Sequence, residues 1–299
     1  MGSNTKIEWT EATWNPVRGC SIVSEGCRNC YAMRMAHRSN RPGGAYEGLT
    51  RIGAHGPTWT GDVRVVREML DYPLKLRKPH RIFVNSMSDL FHESLDEIAI
   101  GEVFGTMAVA EQHTFQVLTK RPGRMKAILE TARVCFDYHE PLANVWLGVS
   151  AEDQKTADER IPLLMETPAA VRWVSAEPLL GPIDLESVPS MEGSIDWVVV
   201  GGESGPGARP MHPDWARSLR DQCKAAGVPF FFKQWGKFTD RGGCDDPCGR
   251  CVMALADGSV TGTDWVSGPD MRGAIQMHPL PKHYAGNILD GRWHLEYPA

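Results

Sequence analysis

From residue 80 onward the chain repeats one phrase: a short apolar run, a polar or charged residue at its end, then an amphipathic helix. Arg81-Ile-Phe-Val-Asn85 precedes a helix whose stripe is Ile100, Val103, Phe104 and Met107, at i, i+3, i+4 and i+7. Thr114 to Leu118 ends in Thr119-Lys120-Arg121, with a helix over about 124–131. Asn144 to Val149 ends in Ser150-Ala151-Glu152, with a helix to about Met165, and Val171 to Val174 ends in Ser175-Ala176-Glu177-Pro178. Asp196 to Val200 ends in Gly201-Gly202-Glu203-Ser204, with a helix from about Pro213 to Ala226, and Val228 to Phe232 ends in Lys233. Such alternation predicts an α/β chain of parallel β/α units. In parallel β/α folds the C-terminal strand ends form the active-site face. The pattern therefore expects Asn85, Ser86, Ser88, Asp89, Lys120, Ser150, Glu152, Glu177, Glu203 and Lys233 on one rim. Any one of them alone reads equally well as a solvated loop residue, and it is the repetition that favours function.

The second constraint is the stretch from Cys20 to Cys30, in which Cys20, Cys27 and Cys30 are separated by six and two residues. A strand ending near Trp14-Asn15-Pro16 delivers this loop, which puts it on the same rim. Three thiolates are one short of a closed site. They suit a [4Fe–4S] cluster with one iron left open, whereas a structural zinc needs a fourth Cys or His, and the nearest histidine downstream is His37. Buried structural cysteines are the plainer alternative. A further set, Cys244, Cys248 and Cys251, separated by three and two residues, lies in a Gly- and Asp-rich tail without strong periodicity; it fits a second iron–sulfur cluster or, with a ligand from elsewhere, a zinc ion. Cys135 and Cys223 stand alone on apolar faces and read as buried thiols.

Between these landmarks, Tyr31 to Arg38 reads as a helix, 40–60 as an exposed loop, and Arg64 to Arg77 as a helix that Pro73 ends or kinks. Gly201-Gly202 straight after a strand would let backbone groups approach a ligand closely, a weak signal alone. With eight cysteines, no apolar run approaching eighteen residues and no signal-peptide pattern at the N-terminus, the sequence points to the cytoplasm, with reduced thiols and no membrane partner. The net charge of −5 argues against a broad phosphate-binding surface.

As a set, Ile7-Glu8-Trp9-Thr10, Thr13-Trp14-Asn15-Pro16, Cys27-Arg28-Asn29-Cys30-Tyr31-Ala32, Ser86-Met87-Ser88-Asp89-Leu90-Phe91, Leu118-Thr119-Lys120-Arg121-Pro122, Leu147-Gly148-Val149-Ser150, Ser175-Ala176-Glu177-Pro178, Gly201-Gly202-Glu203-Ser204, Phe232-Lys233-Gln234-Trp235-Gly236 and Leu289-Asp290-Gly291-Arg292 resemble a radical S-adenosylmethionine (SAM) enzyme. The resemblance is closer to a phage-borne family of radical-SAM-like proteins of unknown function, which places the protein in the host cytoplasm. It implies a partial (β/α)6-type parallel barrel over residues 1–236 and an irregular, Cys-containing extension over 237–299. It also implies that Cys20, Cys27 and Cys30 hold the [4Fe–4S] cluster, that a reducing partner such as flavodoxin or ferredoxin supplies an electron, and that SAM cleavage yields a radical that takes hydrogen from substrate. Tyr31, Asn85, Ser86, Ser88, Asp89, Ser150, Glu152, Gly201 and Gly202 would hold SAM, while Lys120, Glu177, Glu203 and Lys233 would act on substrate. Lys120, Arg121 and Lys233 would meet a phosphate or carboxylate, and Glu177 and Glu203 an ammonium or hydroxyl.

Some members of that group are associated with phage DNA in which an amino-acid group on thymidine is rearranged from nitrogen-linked to carbon-linked, so the implied substrate is a modified nucleotide or DNA. Two departures stand out. The superfamily's usual cysteine spacing is three and two, with an aromatic where Asn29 stands, and its Gly-Gly-Glu follows the second strand where this chain has Asn85 to Asp89. The competing readings are a radical SAM enzyme acting on a peptide or small metabolite, and a zinc-stapled module that binds nucleic acid or a protein partner.

Overall fold

The computed structural model describes residues 5–54, 56–136, 140–189, 193–240, 251–262, 273–280 and 285–299. The chain divides into two units, one of Met1–Val149, Pro162–Trp173 and Ser190–Ile195, the other of Ser150–Ile161, Val174–Pro189 and Asp196–Ala299.

The first unit runs β1 (Ala12–Trp14), β2 (Val17–Arg18), α1 (Tyr31–His37), β3 (Thr50–Gly53), β4 (Gly56–Trp59), β5 (Arg64–Val65), β6 (Arg81–Val84), α2 (Glu97–Val109), β7 (Thr114–Thr119), α3 (Pro122–Phe136) and β8 (Val145–Ser150). β1, β6, β7 and β8 pair in parallel, with Ala12 opposite Ile82, Ile82 opposite Phe115 and Phe115 opposite Val145. These runs are mainly apolar because helices or loops cover both faces of a parallel sheet, with Gln116 a buried exception in β7. Ile82, Phe115 and Val117 are fully buried, and each contributes about 1.5–3 kcal/mol relative to exposure. Trp9 fills the space beside Phe83 and Trp173, with ring centroids 4.7 and 5.2 Å away. Gly148 is required here, since a Cβ would lie 2.5 Å from the Trp173 ring. α2 begins where the Asp96 carboxylate accepts the Ile98 N–H at 2.8 Å, and α3 starts on Pro122, whose missing N–H costs nothing in a first turn.

Two stretches differ from their sequence reading. Residues 64–77 form no continuous helix. β5 pairs with β2, the Val66 N–H donates to the Pro16 carbonyl at 2.7 Å, and short 3-10 turns cover Arg67–Met69 and Pro73–Lys75. The helical spacing of Val65, Val66, Met69 and Leu70 gives way because β-branched residues find a strand partner and Pro73 can only start a turn. Residues 40–60 are not an open loop either. β3 and β4 form a hairpin that buries Thr50 and Trp59, and Trp59 clusters with Ala32, Met33 and Ala36 of α1.

The second unit carries most of α4 (Gln154–Met165), the C-terminal half of β9 (Val171–Ala176), then β10 (Trp197–Gly201), α5 (Pro213–Ala226), β11 (Phe230–Gln234), β12 (Phe238–Thr239), β13 (Val252–Ala254), β14 (Val260–Gly262), β15 (Ile275–Pro279), β16 (Ile288–Leu289) and β17 (Arg292–Trp293). The principal sheet has seven strands in the order β1-β6-β7-β8-β9-β10-β11, which makes the chain a mixed α/β fold with a sequentially ordered parallel sheet. α5 shows every boundary signal: the His212 ring accepts the Asp214 N–H, Pro213 opens the first turn, and Gly227 closes it at φ +69°. The tail differs from the irregular extension the sequence suggested. Its described residues include a four-stranded antiparallel sheet in the order β12-β15-β13-β14, of strands two to five residues long. No helix among the described residues is long and apolar enough to cross a membrane.

Gly201 and Gly202 make room for the chain itself. A Cβ at Gly201 would lie 2.7 Å from a Glu177 carboxylate oxygen, and one at Gly202 would run into the Trp235 carbonyl. Gly202→Ala is therefore expected to destabilise the protein by about 1–3 kcal/mol, the cost of overpacking against backbone that cannot yield. Gly105→Ala, where a Cβ meets open space within α2, is expected to stabilise by about 0.5–1 kcal/mol. Urea midpoints at unchanged slope measure both, and equal effects would contradict the packing argument.

Candidate functional site

The cysteine loop of the first unit is anchored at its base. Gly19 bridges in parallel to Ser88 at φ +92°, and a Cβ there would strike the Asp62 carbonyl, so glycine is the residue that lets Cys20 leave the strand. Cys27 closes a 3-10 turn on Ser24, and Cys30 sits at the cap of α1. All three thiols are half-buried and outside any disulfide, and Cys20 and Cys30 pack against the Met33–Trp59 cluster.

Electrostatics show that the three sulfurs share one neighbourhood. Burial, then the Asp89 carboxylate, push the Cys20 thiol up to about 12, with smaller contributions from Cys30 and Cys27. Burial and the neighbouring Cys27 also raise Cys30, against the opposing pull of the Ala32 and Met33 amides and of Lys120. Lys120 thus stands beside the cysteine loop. A bound cation would invert this balance and hold the thiols as thiolates. Among the described residues no three His, Cys, Asp or Glu side chains are already gathered at metal-binding distance. The donor set nonetheless fits a three-thiolate cluster in type and number. The two nearby histidines are engaged elsewhere, His37 with Thr50 Oγ1 at 3.0 Å and His92 with Ser21 Oγ at 2.9 Å and the Ser94 N–H at 3.2 Å.

The Asn85–Asp89 segment braces this loop. Asn85 adopts φ +56°, a left-handed conformation Asn tolerates, and its Oδ1 accepts the Val17 N–H at 3.2 Å. Its buried Nδ2 has no hydrogen-bond partner among the described residues. Ser88 Oγ donates to the Val17 carbonyl at 2.8 Å, Ser86 Oγ to Asn15 Oδ1 at 3.2 Å, and the Tyr31 hydroxyl to the Ser86 carbonyl at 2.6 Å. Asp89 accepts from Thr119 Oγ1 at 2.7 Å, from the Phe91 and Lys120 amides, and from Arg121 Nη1 at 3.0 Å. Arg121 is buried as well. Its Nε reaches both Glu93 oxygens at 2.8 Å and its Nη2 donates to Ser21 Oγ at 2.6 Å, so it locks the residue after Cys20 and does not project toward a phosphate. The sequence marked Arg121 as charged but could not show that Ser21, His92 and Glu93 surround it.

The remaining rim residues lie at strand ends of the second unit. Glu177 and Lys233, after β9 and within β11, form an ion pair at 2.7 Å, both largely buried. Glu203 is held by Arg209, which donates from Nη2 to Oε1 at 2.8 Å and from Nε and its backbone N–H to Oε2 at 3.0 and 2.8 Å. Glu152 pairs with Arg160 at 3.0 Å, and the Ser150 carbonyl accepts from the same guanidinium at 2.8 Å. Both side chains are buried, as a helix-anchoring pair requires. Arg160 and Arg209, the partners, carry no motif. In the tail, Cys244 and Cys248 lie outside the described residues, as do the side chain of Cys135 and its surroundings. Cys251 is buried, and so is Cys223, whose thiol burial and Glu296 push up to about 12.

No curated protein and no solved structure matches this sequence. A family profile described as protein of unknown function (DUF5131) matches residues 4–298, and the chain belongs to that family.

Proposed function

We propose that this DUF5131 protein is a radical SAM enzyme on a partial (β/α)6-type barrel, binding a [4Fe–4S] cluster through Cys20, Cys27 and Cys30. The observation that carries the reading is the cysteine loop: three disulfide-free thiols in one neighbourhood directly after β2, with both nearby histidines already hydrogen-bonded. When bound, the cluster would supply one electron to SAM on its open iron and so give a 5′-deoxyadenosyl radical. The chain's own work is positional. Asn85, Ser88 and Tyr31 hold the loop, Asp89 and Arg121 fix Ser21 beside Cys20, and Lys120 favours the thiolate at Cys30. The unpartnered Asn85 Nδ2 is the donor we assign to the SAM carboxylate. In the second unit, Glu177 and Lys233 offer one carboxylate and one ammonium, a set that matches a zwitterionic amino-acid group.

The substrate we assign is an amino-acid-modified thymidine, in DNA or as its nucleotide, isomerised from a nitrogen-linked to a carbon-linked form. Abstraction next to nitrogen is feasible because the adjacent lone pair stabilises the radical. On duplex DNA the base would have to be flipped out, which costs a few kcal/mol, and the net charge of −5 makes binding weak and salt-sensitive. The test is anaerobic: reconstituted protein, SAM, a reductant and the modified nucleotide or DNA, analysed by mass spectrometry. An isomer of unchanged mass and altered retention, with deuterium moving from the substrate's α-carbon into 5′-deoxyadenosine, is the expected result. SAM cleavage without that transfer would move the substrate to a peptide or small metabolite, and no cleavage would overturn the whole reading.

A further inference from the structure

The ladder between β10 and β11 is irregular where it reaches the rim. Val200 lies opposite Phe232, but Gly201 lies opposite Gln234, so Lys233 is an extra residue in the pairing. Successive side chains of a regular strand point to opposite faces, and one inserted residue lets two neighbours serve the same side. The consequence is visible at Gly201. A Cβ there would lie 2.7 Å from Glu177 Oε1 and 3.5 Å from Gln234 Cγ, and the same Glu177 oxygen is 2.7 Å from Lys233 Nζ. Glu177, Lys233 and Gln234 therefore meet beside the point where Gly201 lacks a side chain. The Leu179 N–H donates to the Gly201 carbonyl at 3.0 Å, which ties the chain after Glu177 to β10.

Gln234 is 7 % exposed, and Gly202 orients its amide. The Gly202 N–H donates to the Gln234 main-chain carbonyl at 2.9 Å, and Gln234 Nε2 donates to the Gly202 carbonyl at 3.2 Å. Only the NH2 end of the amide can make the second bond, so the identity of the other end as oxygen is fixed. That Oε1 is buried and has no hydrogen-bond partner among the described residues. A buried acceptor without a donor destabilises a fold, and native proteins keep few of them.

We infer that Gln234 is a specificity residue of this pocket, its Oε1 accepting an N–H from the nitrogen of the amino-acid group assigned above to Glu177 and Lys233. The inference rests on that assignment and adds an orientation to it. The nitrogen lies toward Glu177 and Gln234, where two acceptors converge, and the carboxylate lies toward Lys233. A nitrogen-linked amino acid brings the donor that Oε1 lacks. An oxygen-linked one sets acceptor against acceptor, so the pocket rejects it as well as preferring the amine.

The test is equilibrium binding to the full chain with SAM and reductant withheld, so that radical chemistry does not enter the reading. Two probes are compared: deoxyuridine carrying glycine through nitrogen on a 5-methylene group, and the same nucleoside with an ether oxygen in place of that N–H. The parent is expected to favour the amine, and Gln234→Met to reduce the preference about tenfold while binding the ether no more weakly. Gln234→Glu, which keeps an acceptor oxygen, should retain the preference. The ratio of the two affinities is the decisive quantity, because a residue that only shaped the strand would weaken both probes alike. A preference that Gln234→Met leaves unchanged, or equal losses for both probes, would overturn the role of Gln234; weakened amine binding in Glu177→Gln or Lys233→Met would then leave the assignment of the pocket standing. A parent that binds neither probe, or both equally, would overturn the role of Gln234 and that assignment together.

Discussion

Replacing Cys20, Cys27 and Cys30 together by alanine is expected to abolish iron and sulfide binding and all formation of 5′-deoxyadenosine, while leaving the protein folded. The fold should survive because these side chains are half-buried and the elements around them are held by other residues. Cys20 and Cys30 touch the Met33–Trp59 cluster, and trimming each sulfur should cost about 1 kcal/mol. The loop keeps the Gly19–Ser88 bridge, the Tyr31–Ser86 bond and the Arg121–Ser21 bond, none of which involves a thiol. Burial and the neighbouring thiols disfavour the thiolates of Cys20 and Cys30, so neither is a good ligand alone and the loop should bind as a unit. Circular dichroism close to the parent with loss of colour and of SAM cleavage is the predicted pair of readings. A variant that still cleaves SAM would show that the chemistry lies elsewhere in the chain.

Much of the fold was legible because burial on both faces writes parallel strands as unbroken apolar runs. Trp197 to Gly201 could hardly be anything else, and α5 announced both ends through Pro213 and Gly227. What escaped were elements defined by partners. The β3–β4 hairpin has four residues a side, and β13 is three residues long, both too short for periodicity to speak. The same limit governs the site. Charges at strand ends were visible, but Glu152, Glu203 and Asp89 differ from Glu177 by what meets them: Arg160, Arg209 and Arg121, each at a sequence distance that no motif encodes. Gly201 and Gly202 looked like a ligand cradle, yet their missing side chains accommodate Glu177 and Trp235. His278 carried no signal at all, because its pairing with Cys251 is a matter of strand register.

Arg121→Leu is expected to cost about 3–5 kcal/mol, the usual consequence of removing one member of a buried ion pair. The guanidinium is 5 % exposed and the Asp89 carboxylate 8 %. With the guanidinium gone, Asp89 keeps the Thr119 hydroxyl and the Phe91 and Lys120 amides but has no compensating charge, so its ionised form stays in a poorly solvated site. Glu93, 65 % exposed, loses its contacts at little penalty, because water replaces them. The effect should extend to the cysteine loop. Among the described residues Ser21 Oγ would be left with His92, and Asp89, which already disfavours the Cys20 thiolate, would do so without the guanidinium that opposes it. Arg121→Lys restores the charge but not the planar fork that serves Asp89, Glu93 and Ser21 at once, so it should recover part of the stability and little of the loop's order. Urea unfolding reads the first quantity and iron occupancy after reconstitution the second. Ser21→Ala separates them, since it should lower occupancy at a stability cost of about 1 kcal/mol. Unchanged stability in Arg121→Leu would mean that the Asp89–Arg121 pair does not hold this end of the first unit together.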